Sequence, residues 1–159
     1  MTASQVHDVI EREIVVASPR SEVWAALTTV EGMAGWWSEE AEIDLRPGGA
    51  ITFIWEHRTH HPAQVEAVEA VEPESLFVFR WRPGQVESST VYDPENTTRV
   101  EYRLEDHPDG TLVKLRESGF TALPEAVAVK AFDENTGGWE HMLPRLRNFV
   151  VTGDREAAS

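Results

Sequence analysis

The stretch WEHMLPRLRNFVV at residues 139–151 decides the fold of this chain. Its apolar residues recur at i, i+3, i+4 and i+7, the spacing of one face of an α-helix; they are Trp139, Met142, Leu143, Leu146, Phe149 and Val150. Gly137 and Gly138 weaken a helix just before this stretch. Pro144 removes one N–H inside it, so we expect a kink there. The pattern predicts a long C-terminal helix whose apolar face packs against another layer.

The segments that precede this helix alternate apolar and polar residues, as β-strands with one buried face do. Turns rich in Pro and Gly separate some of them, at residues 47–49 and 108–110. Such a sheet must be covered on its apolar face, and the C-terminal helix is the only element long enough to cover it. The predicted strands span residues 8–17, 41–45, 51–56, 63–71, 76–81, 99–104 and 111–117, with a long loop over 82–97.

A helical region follows the first strand. Ser18 has the chemistry of an N-cap, and Pro19 that of a first helical residue. Apolar residues continue at helical spacing until Gly32 and Gly35 interrupt them before Trp36-Trp37. The sequence therefore predicts one helix, a break and a short second helix, and the whole order of elements indicates an α+β fold.

Composition limits the possible functions. The 159 residues fit one domain, and 41% hydrophobic content supports a sizeable core. The absence of cysteine excludes a disulfide framework and thiol catalysis and fits a reducing cytoplasm, where we expect the protein to lie. The N-terminus lacks the pattern of a signal peptide. The net charge of −14 disfavours nucleic acid and anionic membranes as partners.

Several short motifs, in this order and spacing, resemble the SRPBCC (START-like) superfamily, and more narrowly its branch similar to the activator of heat-shock-protein-90 ATPase homologue. They are Ile10-Glu-Arg-Glu-Ile14, Ala17-Ser-Pro19, Val23-Trp24-Ala-Ala-Leu27-Thr28, Trp36-Trp37, Pro47-Gly48-Gly49, Gly110-Thr111, Glu117-Ser118-Gly119-Phe120 and Gly138-Trp139. The resemblance implies the helix-grip fold, in which a curved antiparallel sheet of six to seven strands wraps around a long C-terminal helix with a cavity between them. One domain would then span 8–151, with flexible tails at 1–7 and 152–159.

The resemblance implies less about function, because this superfamily includes lipid and hormone binders, polyketide cyclases and aromatases, stress proteins and resistance proteins that sequester antibiotics. Its chaperone-activator branch has no catalytic motif to transfer. The eukaryotic activator also carries a separate chaperone-binding domain, for which this chain has no room.

Large aromatic residues are the main candidates for a ligand site. Strand parity and the helix stripe place them on facing surfaces, and a curved sheet with so many rings is hard to pack without a gap. The expected ligand-binding set is Trp36, Trp37, Phe53, Trp55, Phe77, Phe79, Trp81, Tyr102, Trp139 and Met142, with Trp55 and Trp81 at the open end and Trp36 or Trp37 as a lid. Trp24 is expected in the core.

Three polar residues share apolar faces: Arg12, Glu117 and His57. If the first and last strands are neighbours, Arg12 and Glu117 come close and anchor a polar group of a ligand, or they lie at strand ends in water. Glu117 and His57 are the candidates for catalysis. His57, His60 and His61 sit in a polar connection that offers no frame for a metal, and we expect neither metal nor cofactor.

Three functions stay open. The first is binding of a small hydrophobic or aromatic ligand without catalysis, in a stress response or in sequestration of a metabolite. The second is a cyclase-like or aromatase-like enzyme that uses an acid or base in the cavity. The third is a module that interacts with a chaperone. The aromatic face and the absence of a recognisable catalytic constellation favour binding.

Overall fold

The computed structural model describes residues 7–38, 40–54, 63–81 and 97–153. The strands are β1 (Val9–Val16), β2 (Glu40–Ile43), β3 (Ala50–Ile54), β4 (Ala63–Glu72), β5 (Leu76–Trp81), β6 (Thr98–His107) and β7 (Gly110–Ser118). They form one antiparallel sheet in the order β1-β7-β6-β5-β4-β3-β2. In the residues that the structure describes, the seven strands agree with the prediction of six to seven, and the pairing of the first strand with the last is confirmed.

Within the described ranges, three α-helices complete the fold: α1 (Arg20–Thr28), α2 (Val30–Trp36) and α3 (Glu125–Thr152). The sheet turns its apolar side chains toward α3, which buries Ala128, Ala131, Trp139, Met142, Leu143 and Leu146. The α+β helix-grip architecture is therefore present as predicted. In the described part of the chain, no helix combines the length and the apolar composition that crossing a bilayer requires.

The break between α1 and α2 lies at Thr29 and not at the glycines. Thr29 has an extended backbone, and its hydroxyl accepts a hydrogen bond from the N–H of Gly32, which caps α2. Gly32 and Gly35 lie inside α2. Glycine is needed at both positions because a neighbouring group comes too close for a side chain. A Cβ on Gly32 would lie 2.2 Å from the carbonyl oxygen of Ala25, and one on Gly35 would lie 2.2 Å from the ring of Phe149. The glycines allow close helix packing and do not end a helix.

Two other predicted boundaries are wrong. The N-cap of α1 is Pro19 rather than Ser18, and it makes no side-chain cap. Helix α3 begins at Glu125, well before Trp139, and continues through Gly137 and Gly138. Packing against the sheet outweighs the low helix propensity of the two glycines. Helix α3 also reaches Thr152 at the start of the predicted C-terminal tail; the rest of that tail after residue 153, and residues 1–6, lie outside the described residues.

The other face of the sheet carries charged side chains. Arg99 contacts both Glu69 and Glu101, while Arg80 also binds Glu69 and Arg103 also binds Glu101. These pairs are partly exposed and contribute little to stability. They show that this face meets solvent, so that α3 covers the one apolar face.

Gly137 offers a simple test of α3. It is exposed, and a Cβ there would meet nothing within 4 Å. Gly137→Ala is expected to raise the free energy of unfolding by about 0.5–1 kcal/mol, because alanine has the higher helix propensity. Gly153→Ala is the matched control, since Gly153 ends the helix with a φ of +78° and alanine there should destabilise. Urea unfolding measures both, and a loss of stability in Gly137→Ala would contradict the prediction.

Asp8 joins the start of β1 to a short 3-10 turn at Phe120–Ala122. Its carboxylate accepts hydrogen bonds from the N–H and hydroxyl of Thr121, at 3.2 and 2.6 Å. The hydroxyl bond is the main cause that lowers the pKa of Asp8. The Asp8 carboxyl therefore holds a proton less tightly in the folded protein than in the unfolded chain. The resulting stabilisation of the folded state is present at pH values above the unfolded pKa and is lost as the pH falls through the folded pKa.

Asp8→Ala is expected to lower the free energy of unfolding by about 0.5–1 kcal/mol near neutral pH, because two hydrogen bonds are lost at an exposed site. The difference from wild type should shrink as the pH falls below the ordinary value of 3.8 for this carboxyl. Urea unfolding of both proteins over a pH series measures it. A difference that grows in acid would contradict the assignment, and Thr121→Val should behave like Asp8→Ala.

Candidate functional site: a buried carboxylate in an aromatic core

Glu117 lies on the covered face of β7. Its side chain is fully buried, as are those of Val113 and Leu115 on the same face. Strand β7 is central to the site because it pairs with β1 on one side and β6 on the other. The predicted position of Glu117 on the apolar face is confirmed, and the alternative of a strand end in water is wrong for this residue.

Among the described residues, four side chains donate hydrogen bonds to the Glu117 carboxylate. From the sheet, the Trp81 indole N–H lies 2.9 Å from Oε2 and the Thr98 hydroxyl lies 2.5 Å from it. From α3, the Trp139 indole N–H lies 2.7 Å from Oε1, and the Asn135 amide lies 3.0 Å from Oε2. Asn135 and Trp139 are one helical turn apart and so reach the same carboxylate. Glu117 therefore links the sheet to α3.

Opposing effects act on the ionisation of Glu117. Burial raises the pKa of this carboxyl, and the hydrogen bonds from Thr98, Trp139, Trp81 and Asn135 counteract part of that rise. Burial also raises the pKa of Tyr102 well above its ordinary value, and the nearby charge of Glu117 adds to the effect. Tyr102 therefore keeps its proton at neutral pH.

Trp37 lies against the two indoles that hold Glu117. Its ring is nearly parallel to that of Trp139, at a centroid distance of 5.4 Å and an angle of 13°. It also stacks on Trp81, at 5.5 Å and 29°. The rings of Trp81 and Trp139 are 6.0 Å apart. The three indoles thus form one cluster, with the Glu117 carboxylate at the N–H ends of two of them.

Further rings extend this cluster into the core. Phe79 meets Trp81 edge to face, and Tyr102 meets Trp139 in the same way. A cavity of about 10 Å³ adjoins them, lined by Leu27, Met33, Trp36, Trp37, Phe77, Phe79 and Tyr102. A volume of this order holds about one water molecule, whereas ligand pockets measure roughly 300–1,000 Å³. The sequence predicts a gap between the aromatic rings of the sheet and the C-terminal helix. At this cavity, the side chains of the lining residues nearly fill that gap.

Several predicted site residues come together. Trp36, Trp37, Phe77, Phe79, Trp81, Tyr102, Trp139 and Met142 are all buried in one core. Trp36 is fixed separately, since its indole N–H donates to the carbonyl oxygen of Ala26 at 2.8 Å. Trp24 is partly buried and meets Phe77 edge to face. Phe53 lies on β3, and Trp55, His57, His60 and His61 lie outside the described residues.

Arg12 does not join this site. In the register of β1 with β7, Ile10 is opposite Glu117, and Arg12 is opposite Leu115. The Arg12 guanidinium instead binds Glu140 on α3 at 2.9 Å, with more than a third of its side chain exposed. The expected anchor of Arg12 with Glu117 is therefore wrong. Arg12 reaches solvent at the edge of the sheet, where an exposed pair avoids the cost of burying a charge.

Two partners of Glu117 escape prediction from the sequence. Thr98 precedes the predicted strand, although it has the same parity as Val100 and Tyr102. Asn135 stands four residues before Trp139, the spacing that places both on one helix face. The parity of Thr98 and the spacing of Asn135 can be used only when β6 is known to begin at Thr98 and α3 at Glu125.

The arrangement is suited to holding aromatic rings in fixed positions. Both oxygens of Glu117 already accept hydrogen bonds from protein donors, so the carboxylate acts first as an anchor for Trp81 and Trp139. Rings whose polar ends are fixed present their faces in a defined orientation.

Comparison with known proteins places this fold. The family model described as "Activator of Hsp90 ATPase homolog 1-like protein" matches residues 17–150. A solved protein from Staphylococcus saprophyticus is 23% identical, with a TM-score of 0.72, covering 94% of this chain and 97% of that one. The Aha1 dimer from Colwellia psychrerythraea is 18% identical, with a TM-score of 0.70 and coverages of 91% and 97%.

A protein of the dynemicin biosynthetic locus is also similar, at 20% identity and a TM-score of 0.72; the match covers 96% of this chain and 51% of that one. These likenesses concern the fold. No curated protein matches the sequence. Because the family model covers most of the chain and the structure has the helix-grip fold, this chain belongs to the activator of Hsp90 ATPase homolog 1-like family.

Proposed function

We propose that this protein binds a small hydrophobic or aromatic molecule between the sheet and α3. The observation that carries the proposal is the fully buried Glu117, whose carboxylate fixes the indoles of Trp81 and Trp139 inside an aromatic core. A hydrophobic residue would fill this position at less cost in desolvation. A carboxylate here therefore supports a role in positioning the rings that form the binding surface.

Binding without catalysis is the form of this function that the geometry supports best. Four side chains in the described part of the chain donate to Glu117, which leaves the carboxylate engaged rather than poised to move a proton. Such a site releases the same molecule that it takes up. The corresponding physiological role is sequestration of an apolar metabolite.

A panel of aliphatic and aromatic apolar compounds tests the proposal. A ligand that binds only the folded state raises the free energy of unfolding by about 2.7 kcal/mol at a concentration of 100 times Kd. Phe79→Leu, in the core, should weaken binding of any hit at least about tenfold, since lost ring contacts are worth more than 1.4 kcal/mol. Arg103→Ala, on the solvent face, is the control and should leave Kd unchanged. The proposal fails if no compound class stabilises the protein or if both variants bind equally well.

The family match favours a chaperone partner as a second candidate. This function predicts that the intact chain stimulates the ATPase of a heat-shock protein 90, and that saturating the core with an apolar ligand leaves the stimulation unchanged. An ATPase rate measured with and without the chain distinguishes the two functions. No stimulation at concentrations well above the chaperone's would exclude the second.

A further inference from the structure

We propose that the indole of Trp37 occupies the ligand's place, and that a flat, uncharged aromatic molecule of at least two fused rings binds by displacing it from Trp81 and Trp139. This inference rests on the proposed function and names its ligand class. It begins from the geometry of the three indoles: Trp37 is stacked on both of the others at 5.4–5.5 Å.

The two rings beneath Trp37 are held independently of it. The N–H of Trp81 and the N–H of Trp139 both bind Glu117, and Trp139 also contacts Tyr102 edge to face. A surface that keeps its shape when its cover leaves needs no rearrangement to accept another ring. Preorganised aromatic faces of this kind lower the cost of binding.

The Trp37 side chain, which covers the two indoles, lies at the end of a short helix. Helix α2 has seven residues and ends at Trp36, and Trp37 is its C-cap. Trp36 keeps the helix in place through its hydrogen bond to Ala26, so a change in the Trp37 side chain does not require α2 to move. Neighbouring residues therefore divide two tasks: Trp36 anchors the helix, and Trp37 covers the two indoles.

Exposure indicates where a ligand would enter. Trp81 and Trp37 are 9% and 6% exposed, and Met142 is 8% exposed, whereas Trp36, Phe77 and Phe79 are each 1% exposed. Trp37 and Trp81 thus lie nearer to solvent than Trp36, Phe77 and Phe79 do. An incoming ring reaches Trp37 before it reaches the deeper rings.

The size and charge of the ligand follow from what it replaces. Trp37 contributes a fused bicyclic ring, so a ligand must offer at least the same stacking area. The Glu117 carboxylate lies at the N–H ends of the two remaining indoles, and the chain carries a net charge of −14. Both disfavour an anion in this place. A cation would lose its hydration on entering the aromatic core, where the Glu117 carboxylate is already engaged by hydrogen bonds from protein side chains. The preferred ligand is therefore uncharged.

Nuclear magnetic resonance of the indole N–H groups tests the displacement. The chain has six tryptophans, whose signals are assigned from single Trp→Phe variants. When 2-naphthol binds the wild-type protein, the Trp37 N–H should exchange faster with solvent. The Trp81 and Trp139 signals should stay protected and shift. The Trp36 signal should shift as well, because its ring lies 5.3 Å from that of Trp37, and the Trp24 signal should not move. Binding of 2-naphthol with the Trp37 exchange rate unchanged would overturn the inference while leaving the proposed function intact.

The affinities of Trp37 variants for 2-naphthol provide a second test of the displacement. Trp37→Ala should bind 2-naphthol at least about tenfold more tightly than wild type, because the ligand no longer competes with the indole. Trp37→Phe, which keeps a smaller ring and serves if the alanine variant does not fold, should bind more tightly by a smaller factor. Weaker binding by these variants would show that Trp37 belongs to the binding surface and would overturn the inference.

The ligand class is tested with 2-naphthoate, which has the same fused ring and a negative charge. At about 0.5 M NaCl, which screens the net charge but not a buried carboxylate, it should bind at least about tenfold more weakly than 2-naphthol. Equal binding would overturn the preference for an uncharged ligand. If neither compound binds any of the proteins while an aliphatic compound stabilises the wild type, the inference fails and the proposed function survives.

Discussion

Glu117→Ala is expected to lower the free energy of unfolding by about 3–5 kcal/mol, the range for breaking a buried charged network. The substitution removes the acceptor for Trp81, Thr98, Asn135 and Trp139 at once and leaves buried donors without it. Equilibrium unfolding in urea measures the loss. Glu105→Ala is the control, because Glu105 is half exposed in an ion pair with Lys114 and should cost less than about 1 kcal/mol. A loss below about 1 kcal/mol in Glu117→Ala would contradict the linking role of this carboxylate.

The pH dependence of the same site has a defined sign. Burial raises the pKa of Glu117 in the folded protein, so the folded state holds this proton more firmly than the unfolded chain. Stability from this group therefore falls as the pH rises above the ordinary value of 4.5 toward the raised value. Glu117→Gln does not titrate, and the stability advantage of wild type over this variant should shrink across that window. Asp8 has the opposite sign but is common to both proteins, so its contribution cancels in the comparison.

Trp139→Ala is expected to lower the free energy of unfolding by about 3–5 kcal/mol, since it empties a large buried volume between α3 and the sheet. Trp139→Phe keeps most of the ring and loses the N–H bound to Glu117, so it should cost about 1–3 kcal/mol. Urea unfolding gives both values. Glu140→Ala, the exposed neighbour on α3, is the control and should cost less than about 1 kcal/mol.

The two sites should not act independently. Once Glu117 is alanine, the N–H of Trp139 has already lost its acceptor, so Trp139→Phe should cost less in that background than in the wild type. The expected coupling is about 0.5–3 kcal/mol, the range for residues in one network. Additive losses would show that this hydrogen bond contributes nothing measurable, and a small loss in Trp139→Ala would contradict its role in anchoring α3.

Local periodicity predicts most of the sheet because alternation reports which face of a strand is buried. Val113, Leu115 and Glu117 share parity, and all three are buried on one face of β7. Where the local signal and the packing disagree, prediction from sequence fails. Gly32 and Gly35 have the signature of a helix break, yet they lie within α2 because Ala25 and Phe149 approach too closely for any side chain.

The partners of a side chain across the sheet are less accessible to sequence. Parity places Arg12 and Glu117 on the same face of the sheet, but the register puts Ile10 opposite Glu117, two residues from Arg12. Register depends on how both strands fit their neighbours, and a shift along the strand changes every pair. The sequence does identify the aromatic residues as a group, because strand parity and helix spacing determine which face each residue lies on. They do not determine which rings are in contact.

By itself, then, the sequence determined the α+β order of elements, the face of the sheet that is buried, and the helix that covers it, because these follow from periods of two and 3.6 residues along the chain. Only the tertiary structure decided that Trp81, Thr98, Asn135 and Trp139 all donate to Glu117 and that Trp37 stacks on two of them. These residues lie at the C-terminal end of α2 and on β5, β6, β7 and α3, which are separate segments of the chain. Their meeting depends on register and helix packing, which no local pattern encodes.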